Sequence, residues 1–345
     1  MRHQCDTLIV GAGIAGLVAA RELVRAGRDV IVVDKGRGVG GRMATRRFSG
    51  ARFDHGAQFI SVRTEAFGRL VEEWTDAGIA RIWSNGFADG LTGDGSLLTA
   101  ASGGGTRAHT PARDGHPRYC ARDGMTSIPK HLAKGLEVRL SVQARAVRNA
   151  GGGWQIDVEA DDPYLASSVV LTPPVPQSLT LLAAGGVPIE PDARRALESL
   201  DYAPCIALLA RSRAAVDLPA PGVLRRAGED VEWVADNAAK GITTEGPALT
   251  VHCGADFSRT YYEEDDETVY RALVGRLDAL IPVDFSSWQI KRWRFSRPTN
   301  PLSVGCRTEG LPTGLVLAGD AFAGARVEGA ALSGLAAAAA LRLDA

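Results

Sequence analysis

The chain has 345 residues, of which 45% are hydrophobic, and a formal net charge of −1 at pH 7. This length exceeds one ordinary domain and indicates two joined domains. A near-neutral charge gives no electrostatic footprint for nucleic acid or for an anionic membrane surface. The 5 cysteines are scattered with no CxxC pair, so we expect reduced thiols in a cytoplasmic protein rather than a disulfide framework or a metal site.

The first apolar segment has two interpretations, a secretory leader or the opening strand of a nucleotide-binding unit. A leader has an apolar run that stops at small residues before a cleavage point, and residues 18–20 offer such a point. Here the apolar pattern continues to Val33 and is interrupted by Gly-x-Gly, which is atypical of a leader. We therefore expect a nucleotide-binding unit. No run elsewhere in the chain is long and apolar enough to span a bilayer.

The first motif is GxGxxG at Gly11, Gly13 and Gly16, between an apolar strand and a helix predicted over residues 14–26. In such a motif the first glycine permits a tight turn and the second lets backbone N–H groups reach a pyrophosphate. The third lets the helix lie close to the sheet, and the helix N-terminus adds partial positive charge. A second apolar strand, residues 30–33, ends in Asp34, at the spacing where an acid accepts hydrogen bonds from a ribose diol. The pattern predicts a dinucleotide-binding site.

The segment "DKGRGVGGRMATRR" extends beyond what a plain nicotinamide site requires. Gly40, Gly41 and Arg42 offer further backbone donors and one fixed cation to a diphosphate. The alternative is a surface loop in which Arg42, Arg46 and Arg47 are solvated.

The middle of the chain predicts a helix in "DGMTSIPKHLAKGL", and strands in "VRLSVQARAVRN", "GWQIDV" and "SSVVLTPP". From about residue 175 to 290 the strands are shorter ("CIALLA", "VEWVA", "ALTVHCGA") and a charged helix follows them. This pattern favours a second, mostly antiparallel domain. The glycine-rich segment 84–110 predicts a loop or hairpin, and the acidic run 263–267 predicts a solvated helix start.

The last motif follows an apolar strand at residues 315–318, where Gly319-Asp320 precedes a loop and an alanine-rich helix. The three motifs, in this order, resemble those of the amine oxidase/phytoene desaturase flavoprotein superfamily. "FDHGAQF", "RVEGAALSG" and "KRWRFSRP" resemble the bacterial renalase branch. The resemblance covers most of the chain, and it is weakest in the middle.

The resemblance implies an α/β protein with a Rossmann-type (GR2-like) FAD-binding domain and an interleaved, mostly antiparallel α+β substrate domain. Residues 1–85, 118–175 and 290–345 would form the first domain, and residues 86–117 and 176–289 the second. It also implies non-covalent FAD, because nothing around Cys306 matches a covalent linkage motif. The cofactor-binding residues expected are Gly11, Gly13, Ile14, Ala15, Gly16, Asp34, Lys35, Gly41, Arg42, Gly56, Ala57, Gln58, Ala144, Gly319, Asp320, Glu328, Gly329 and Ala330.

Two departures from true amine oxidases bear on the substrate. Those enzymes often carry a lysine near flavin N5 on the strand that corresponds to "DYAPCIALLAR", which has none. They also place an aromatic residue before the last motif, where this chain has Arg326. A cation there disfavours a protonated amine and favours an anionic or carbonyl-bearing ligand.

The candidate catalytic residues are Gln58, His252, Trp293 and Arg326. His252 has an alternative reading as a hydrogen-bonded sheet histidine, and Trp293 one as ordinary core. By resemblance, a dihydronicotinamide isomer of NAD(P)H gives a hydride to flavin N5, and O2 then reoxidises the flavin to give H2O2. Orientation does most of this work, so no acid–base constellation is required.

Two other functions remain open at this point. One is an amine oxidase or desaturase acting on a pathway-specific small molecule. The other is a lipid-binding chaperone of the Rab-escort type, which shares the fold, although the intact glycine motifs argue against it. The sequence indicates neither the oligomeric state nor the physiological substrate.

Overall fold

The computed structural model describes residues 3–87, 116–159 and 161–343. Its strands are His3–Val10 (β1), Val30–Asp34 (β2), Thr45–Phe48 (β3), Ala51–Asp54 (β4), Ile60–Ser61 (β5), Ala80–Ser84 (β6), Arg118–Ala121 (β7), Glu137–Leu140 (β8), Ala144–Asn149 (β9), Trp154–Val158 (β10), Tyr164–Leu171 (β11), Tyr202–Ser212 (β12), Val223–Arg225 (β13), Val231–Asp236 (β14), Ala248–Cys253 (β15), Phe285–Pro298 (β16) and Leu315–Leu317 (β17). Its α-helices are Ile14–Arg25 (α1), Glu65–Asp76 (α2), Ser127–Leu132 (α3), Val175–Ala184 (α4), Pro191–Glu198 (α5), Ala255–Thr260 (α6), Asp266–Asp278 (α7), Asp320–Ala323 (α8) and Val327–Leu343 (α9).

The first sheet has the order β8-β2-β1-β11-β10-β9, and β17 pairs with the second half of β11. Strands β8, β2, β1, β11 and β17 run parallel, whereas β10 pairs antiparallel with both of its neighbours, β11 and β9. Because side chains alternate along a strand, Ile9 packs in one core cluster with α1 and α9. Leu8 and Val10 pack in the opposite cluster with α4 and α5. Burial on both faces explains the continuous apolar runs of the central strands.

The segment predicted as one strand, "VRLSVQARAVRN", forms two. Strand β8 pairs parallel with β2, and β9 pairs antiparallel with β10. Between them Ser141 has a φ of 59°, a left-handed conformation that no strand accommodates. The chain therefore turns out of one pairing and into another, which the apolar pattern does not show.

The second sheet has the order β13-β14-β15-β12-β16 and is antiparallel throughout. One face packs on α6 and α7. On the other face, Leu209 and Ala248 pack against Ala51 and Phe53 of β4. The expected fold class, a Rossmann-type α/β domain joined to an antiparallel α+β domain, is confirmed.

The domain boundaries stay a prediction, and we propose moving two of them. Helices α4 and α5 pack in the same core cluster as Leu8, which places residues up to about 200 with the first sheet. Strand β16 pairs with β12 as far as Pro298, which extends the second domain beyond residue 290.

The prediction of a loop or hairpin over 84–110 falls mostly on residues 88–115, which lie outside the described residues. In the described part of the chain, no helix has the length and apolarity that crossing a membrane requires.

Candidate active site

A cavity of about 870 Å³ lies at the carboxyl ends of the parallel strands. Ligands bind open α/β sheets at this edge, and the size suits a cofactor together with a small substrate. Asp34 ends β2, Gly11 follows β1, Thr172 follows β11 and Gly319 closely follows β17, and all four line the cavity. Residues 292–297 of β16 also line the cavity.

The GxGxxG turn has the geometry that its glycines predict. Gly11 has a φ of +108°, and a Cβ at Gly16 would lie 2.0 Å from the Gly11 carbonyl oxygen. These two positions therefore admit no side chain without strain or displacement. A Cβ at Gly13 would meet nothing within 4 Å, and Gly13 lines the cavity. The open space beside Gly13 is thus available to a ligand that approaches the backbone at the start of α1.

Asp34 holds the glycine turn in place. Its Oδ2 accepts a hydrogen bond from the backbone N–H of Ala12 at 2.6 Å, and its Oδ1 accepts one from Gly36, also at 2.6 Å. Both carboxylate oxygens are therefore engaged by the backbone, and the expected hydrogen bond to a ribose stays a prediction. Asp34 still lines the cavity, as do Lys35 and Ala144.

Arg42 and Asp320 join the second motif to the last. The guanidinium donates to both carboxylate oxygens of Asp320, at 2.6 and 2.7 Å. It also donates to the carbonyls of Phe295 and Ser296 on β16. Burial disfavours the charge of Arg42, but the Asp320 carboxylate outweighs it and raises the pKa of Arg42. This bidentate pair fixes the Arg42 side chain against the cavity. The solvated-loop alternative is therefore wrong for Arg42.

The loop after β4 brings His55 against Trp293. The two rings are stacked, with centroids 5.1 Å apart and planes inclined by 15°. The Trp293 indole Nε1 donates to the His55 carbonyl at 2.9 Å, and both residues line the cavity. Burial, followed by the nearby Lys291, lowers the pKa of His55 to about 4, so the ring is neutral at pH 7. His55 Nδ1 is buried and has no hydrogen-bond partner among the described residues.

Gln58 and His252 meet beside this loop, with 3.4 Å between their Nε2 atoms. Gln58 Nε2 donates to the carbonyls of Asp54 and Gly56, at 2.5 and 3.3 Å. These two acceptors set the orientation of the carboxamide. Burial lowers the pKa of His252 to about 4, so this imidazole is also neutral at pH 7.

Gln58 lines a second, smaller cavity of about 230 Å³ rather than the main one. The two cavities adjoin, because Gly56, Cys205, His252, Ser296 and Arg297 line both. His252 therefore stands between them.

A buried ion pair between Lys240 and Asp54, which lies behind the loop after β4, was not predicted from the sequence. The Lys240 ammonium donates to Asp54 Oδ2 at 2.7 Å and to the Gln58 carbonyl at 2.5 Å. It also lies 4.9 Å from the centroid of the Trp83 ring, and both charged side chains are fully buried. Asp54 and His55 directly precede Gly56, Ala57 and Gln58, which are predicted to approach the cofactor. This position in the sequence could have identified both as site residues. No sequence signal identified Lys240, because only the tertiary fold brings it next to Asp54.

Most of the expected cofactor-binding residues line the main cavity: Gly11, Gly13, Ile14, Ala15, Asp34, Lys35, Gly41, Arg42, Gly56, Ala57, Ala144, Gly319, Asp320 and Ala330. Of the candidate catalytic residues, His252, Trp293 and Arg326 line it. Gly16, Gln58, Glu328 and Gly329 do not. Gly16 is instead packed against the glycine turn, and a Cβ on Gly329 would lie 2.0 Å from the Gly324 carbonyl oxygen. The Glu328 carboxylate accepts hydrogen bonds from the backbone of Arg63 and Thr64 and from the Thr64 hydroxyl, so it supports the start of α2.

The lining of the main cavity fits a bound dinucleotide. The open space at Gly13 and the helix N-terminus beside it are the features that a bound flavin dinucleotide would use. Cys306 is not among the described residues that line the main cavity, and burial raises the pKa of its thiol. The fold and cavity together define a two-domain, dinucleotide-binding protein.

Comparison with known proteins specifies this class. The flavin-containing amine oxidoreductase family matches residues 63–342, and an NAD(P)-binding Rossmann-like domain matches residues 9–74. The chain belongs to the flavin-containing amine oxidoreductase family. It is an FAD-dependent oxidoreductase, as the three sequence motifs predict.

The relatives include renalase of Mus musculus. It is 24% identical in an alignment of 345 positions that covers 95% of this chain and 96% of the relative. A putative flavin-containing monoamine oxidase of Mycobacterium tuberculosis is 46% identical over 68 residues, which are 20% of this chain and only 15% of that protein. Among solved structures, putrescine oxidase bound to putrescine has a TM-score of 0.72 at 17% identity, covering 99% of this chain and 100% of that one. A putative protoporphyrinogen oxidase from Exiguobacterium sp. 255-15 has a TM-score of 0.73 at 16% identity, covering 100% of both chains. These structural likenesses establish the fold.

Proposed function

We propose that the protein oxidises a dihydropyridine ring, in particular an isomeric form of NAD(P)H, with FAD as cofactor and O2 as the final acceptor. In the balanced reaction, the dihydropyridine, O2 and one proton give the pyridinium and H2O2. FAD, when bound, supplies the hydride acceptor and the route of electrons to O2.

The charge of the cavity lining is the observation that carries this proposal. Among the described residues, its carboxylates are Asp34 and Asp320. The first is engaged by two backbone N–H groups and the second by Arg42. The lining also includes a set of cationic side chains: Lys35, Arg145, Arg292, Arg294, Arg297 and Arg326. Three of these, Arg145, Arg292 and Arg294, form ion pairs with Glu159, Asp266 and Glu263, so the available positive charge comes from Lys35, Arg297 and Arg326. Such a lining disfavours a protonated amine and favours a substrate with phosphate groups.

The protonation states near Trp293 also support oxidation of a dihydropyridine. His55 and His252 have pKa values of about 4, so neither carries a charge that would repel or attract the ring at pH 7. A dihydropyridine becomes aromatic on losing a hydride and needs no general base for that step. The stacked His55 and Trp293 rings therefore serve as a rigid wall that orients a planar substrate and excludes water.

Anaerobic stopped-flow mixing tests the proposal by following the bleaching of the flavin visible absorption. The panel holds borohydride-made isomers of NADH and NADPH, ordinary NADH, putrescine and cyclohexylamine. We expect bleaching by an isomer alone, with recovery of colour and H2O2 release on admitting air. Bleaching by an amine and not by the isomers would refute the proposal and would favour amine oxidation, the activity that the names of several family relatives state.

A further inference from the structure

The 54–58 loop carries three residues that line the main cavity: His55, Gly56 and Ala57. On one side this loop contacts the second cofactor motif, because the Ala57 N–H donates to the Arg42 carbonyl at 2.8 Å. A Cβ at Gly56 would lie 2.0 Å from the same carbonyl oxygen, so the loop and the motif are in direct backbone contact. The position of the 54–58 loop therefore sets both a wall of the cavity and the packing around Arg42.

On its other side, the 54–58 loop is bonded to the connection between β14 and β15 in the second domain. Lys240 of this connection donates to the Asp54 carboxylate at 2.7 Å and to the Gln58 carbonyl at 2.5 Å, so one ammonium bonds both ends of the loop. The Asn237 side-chain oxygen accepts a hydrogen bond from the Asp54 N–H at 3.2 Å, and its Nδ2 donates to two oxygen atoms of β15. The second domain thus holds the loop by directional bonds as well as by contact.

Lys240 is itself held in one position. Its side chain is fully buried, its backbone N–H donates to the Asp236 carbonyl at 2.8 Å, and its carbonyl accepts a hydrogen bond from Arg81. A buried ion pair contributes little net stability, because desolvation offsets the attraction between the charges. The second sheet and β4 are already joined by the apolar cluster that contains Leu209 and Phe53. What the bonds of Lys240 add is one defined position of the loop.

We infer that Lys240 and Asn237 are positioning residues for the cofactor site, and that they fix where the 54–58 loop lies along the cavity. Neither is among the described residues that line the main cavity, so both act through the loop. This inference rests on FAD as the cofactor and is independent of which substrate the enzyme oxidises. Loss of the bonds to the loop should weaken FAD binding by about tenfold, because the wall and the backbone at Arg42 then have several accessible positions.

The test compares Lys240→Met alone with Lys240→Met combined with Asp54→Asn, and it measures the FAD affinity of each apoprotein by equilibrium dialysis. The double variant removes the stranded carboxylate charge and so regains stability, but it does not restore a donor to the Gln58 carbonyl. A positioning role therefore predicts that both variants bind FAD about tenfold more weakly than the wild type. The visible circular dichroism of the bound flavin should differ from that of the wild type in both. A purely structural role predicts that affinity recovers together with stability.

Leu273→Ala is the matched control, because it opens a cavity in the apolar core between α7 and the second sheet. It should lower the stability of the protein and leave its FAD affinity unchanged. Asn237→Ala keeps the ion pair and removes the other bond to the 54–58 loop. It should also weaken FAD binding, and it tests the inference if Lys240→Met does not fold.

Amide hydrogen exchange of the apoproteins reports on the loop without the cofactor. Residues 54–59 should exchange at least about tenfold faster in the double variant and in Asn237→Ala than in the wild type. In Leu273→Ala the exchange of these residues should be unchanged.

Three results would overturn the inference. The first is an FAD affinity of the double variant within about twofold of the wild type, and the second is unchanged exchange of residues 54–59 in that variant. The third is an equal loss of FAD affinity in Leu273→Ala, since general destabilisation would then explain the effect. Failure of the proposed function is separately visible, because the wild type would then be bleached by an amine and not by the isomers.

Discussion

Replacing Lys240 by methionine should be among the most destabilising single changes in this protein. The ammonium has three donor directions, occupied by Asp54 Oδ2 at 2.7 Å, the Gln58 carbonyl at 2.5 Å and the face of Trp83. Both charges of the pair are fully buried. Removing one partner leaves an uncompensated buried carboxylate, at a cost of about 3–5 kcal/mol.

Urea unfolding followed by far-ultraviolet circular dichroism measures this cost. It should be run with and without added FAD, because a bound cofactor contributes its own stabilisation. The exposed Lys134→Met is the matched control and should change the free energy of unfolding by no more than about 0.5 kcal/mol. Adding Asp54→Asn to Lys240→Met removes the stranded charge, so the double variant should recover at least about 1 kcal/mol.

Two results would refute this reasoning. A Lys240→Met variant within about 0.5 kcal/mol of the wild type would mean that water or a shifted side chain compensates Asp54. A double variant as unstable as the sum of the two single changes would mean that Lys240 and Asp54 do not interact energetically.

Three further predictions concern the cofactor loop and the histidines. Gly13→Val should keep the circular dichroism of the wild type but lose bound FAD, because its side chain fills space that no protein atom occupies; full flavin content on purification would contradict this. Asp34→Ala should weaken FAD binding by about 1–3 kcal/mol, because the Ala12 and Gly36 N–H groups lose their acceptor; equilibrium dialysis measures the change, and unaltered affinity would remove Asp34 from the site. The wild type should lose stability as the pH falls from 6.5 to about 4, since unfolding frees His55 and His252, whose pKa values are about 4 in the fold, to take up protons. His55→Phe keeps the stack on Trp293 and should make that fall shallower, and an unchanged slope of urea midpoint against pH would exclude His55 as its source.

The cofactor motifs were predictable because their constraints act over a few residues. The positive φ of Gly11 and the close approach of Gly16 to the Gly11 carbonyl are local backbone requirements, which a short sequence pattern records. The same holds for the apolar runs of β1, β2 and β17, because strands buried on both faces need them. The sequence therefore determined the class of domain and its FAD.

The split between β8 and β9 was not predictable, because an apolar pattern does not report a left-handed residue such as Ser141. Glu328 illustrates a different limit. It lies within a cofactor motif, yet its carboxylate is bonded to Arg63 and Thr64, a contact that depends on where α2 begins.

The electrostatics of the site depended on tertiary structure alone. Arg42 meets Asp320 across 278 positions of sequence, and Lys240 meets Asp54 across 186. The hydrogen-bonding state of Gln58 and the desolvation that keeps His55 and His252 neutral likewise come from residues of both domains. Charge compensation and burial are sums over neighbours in space, so the sequence identified the cofactor, and the fold determined which side chains remain available to the substrate.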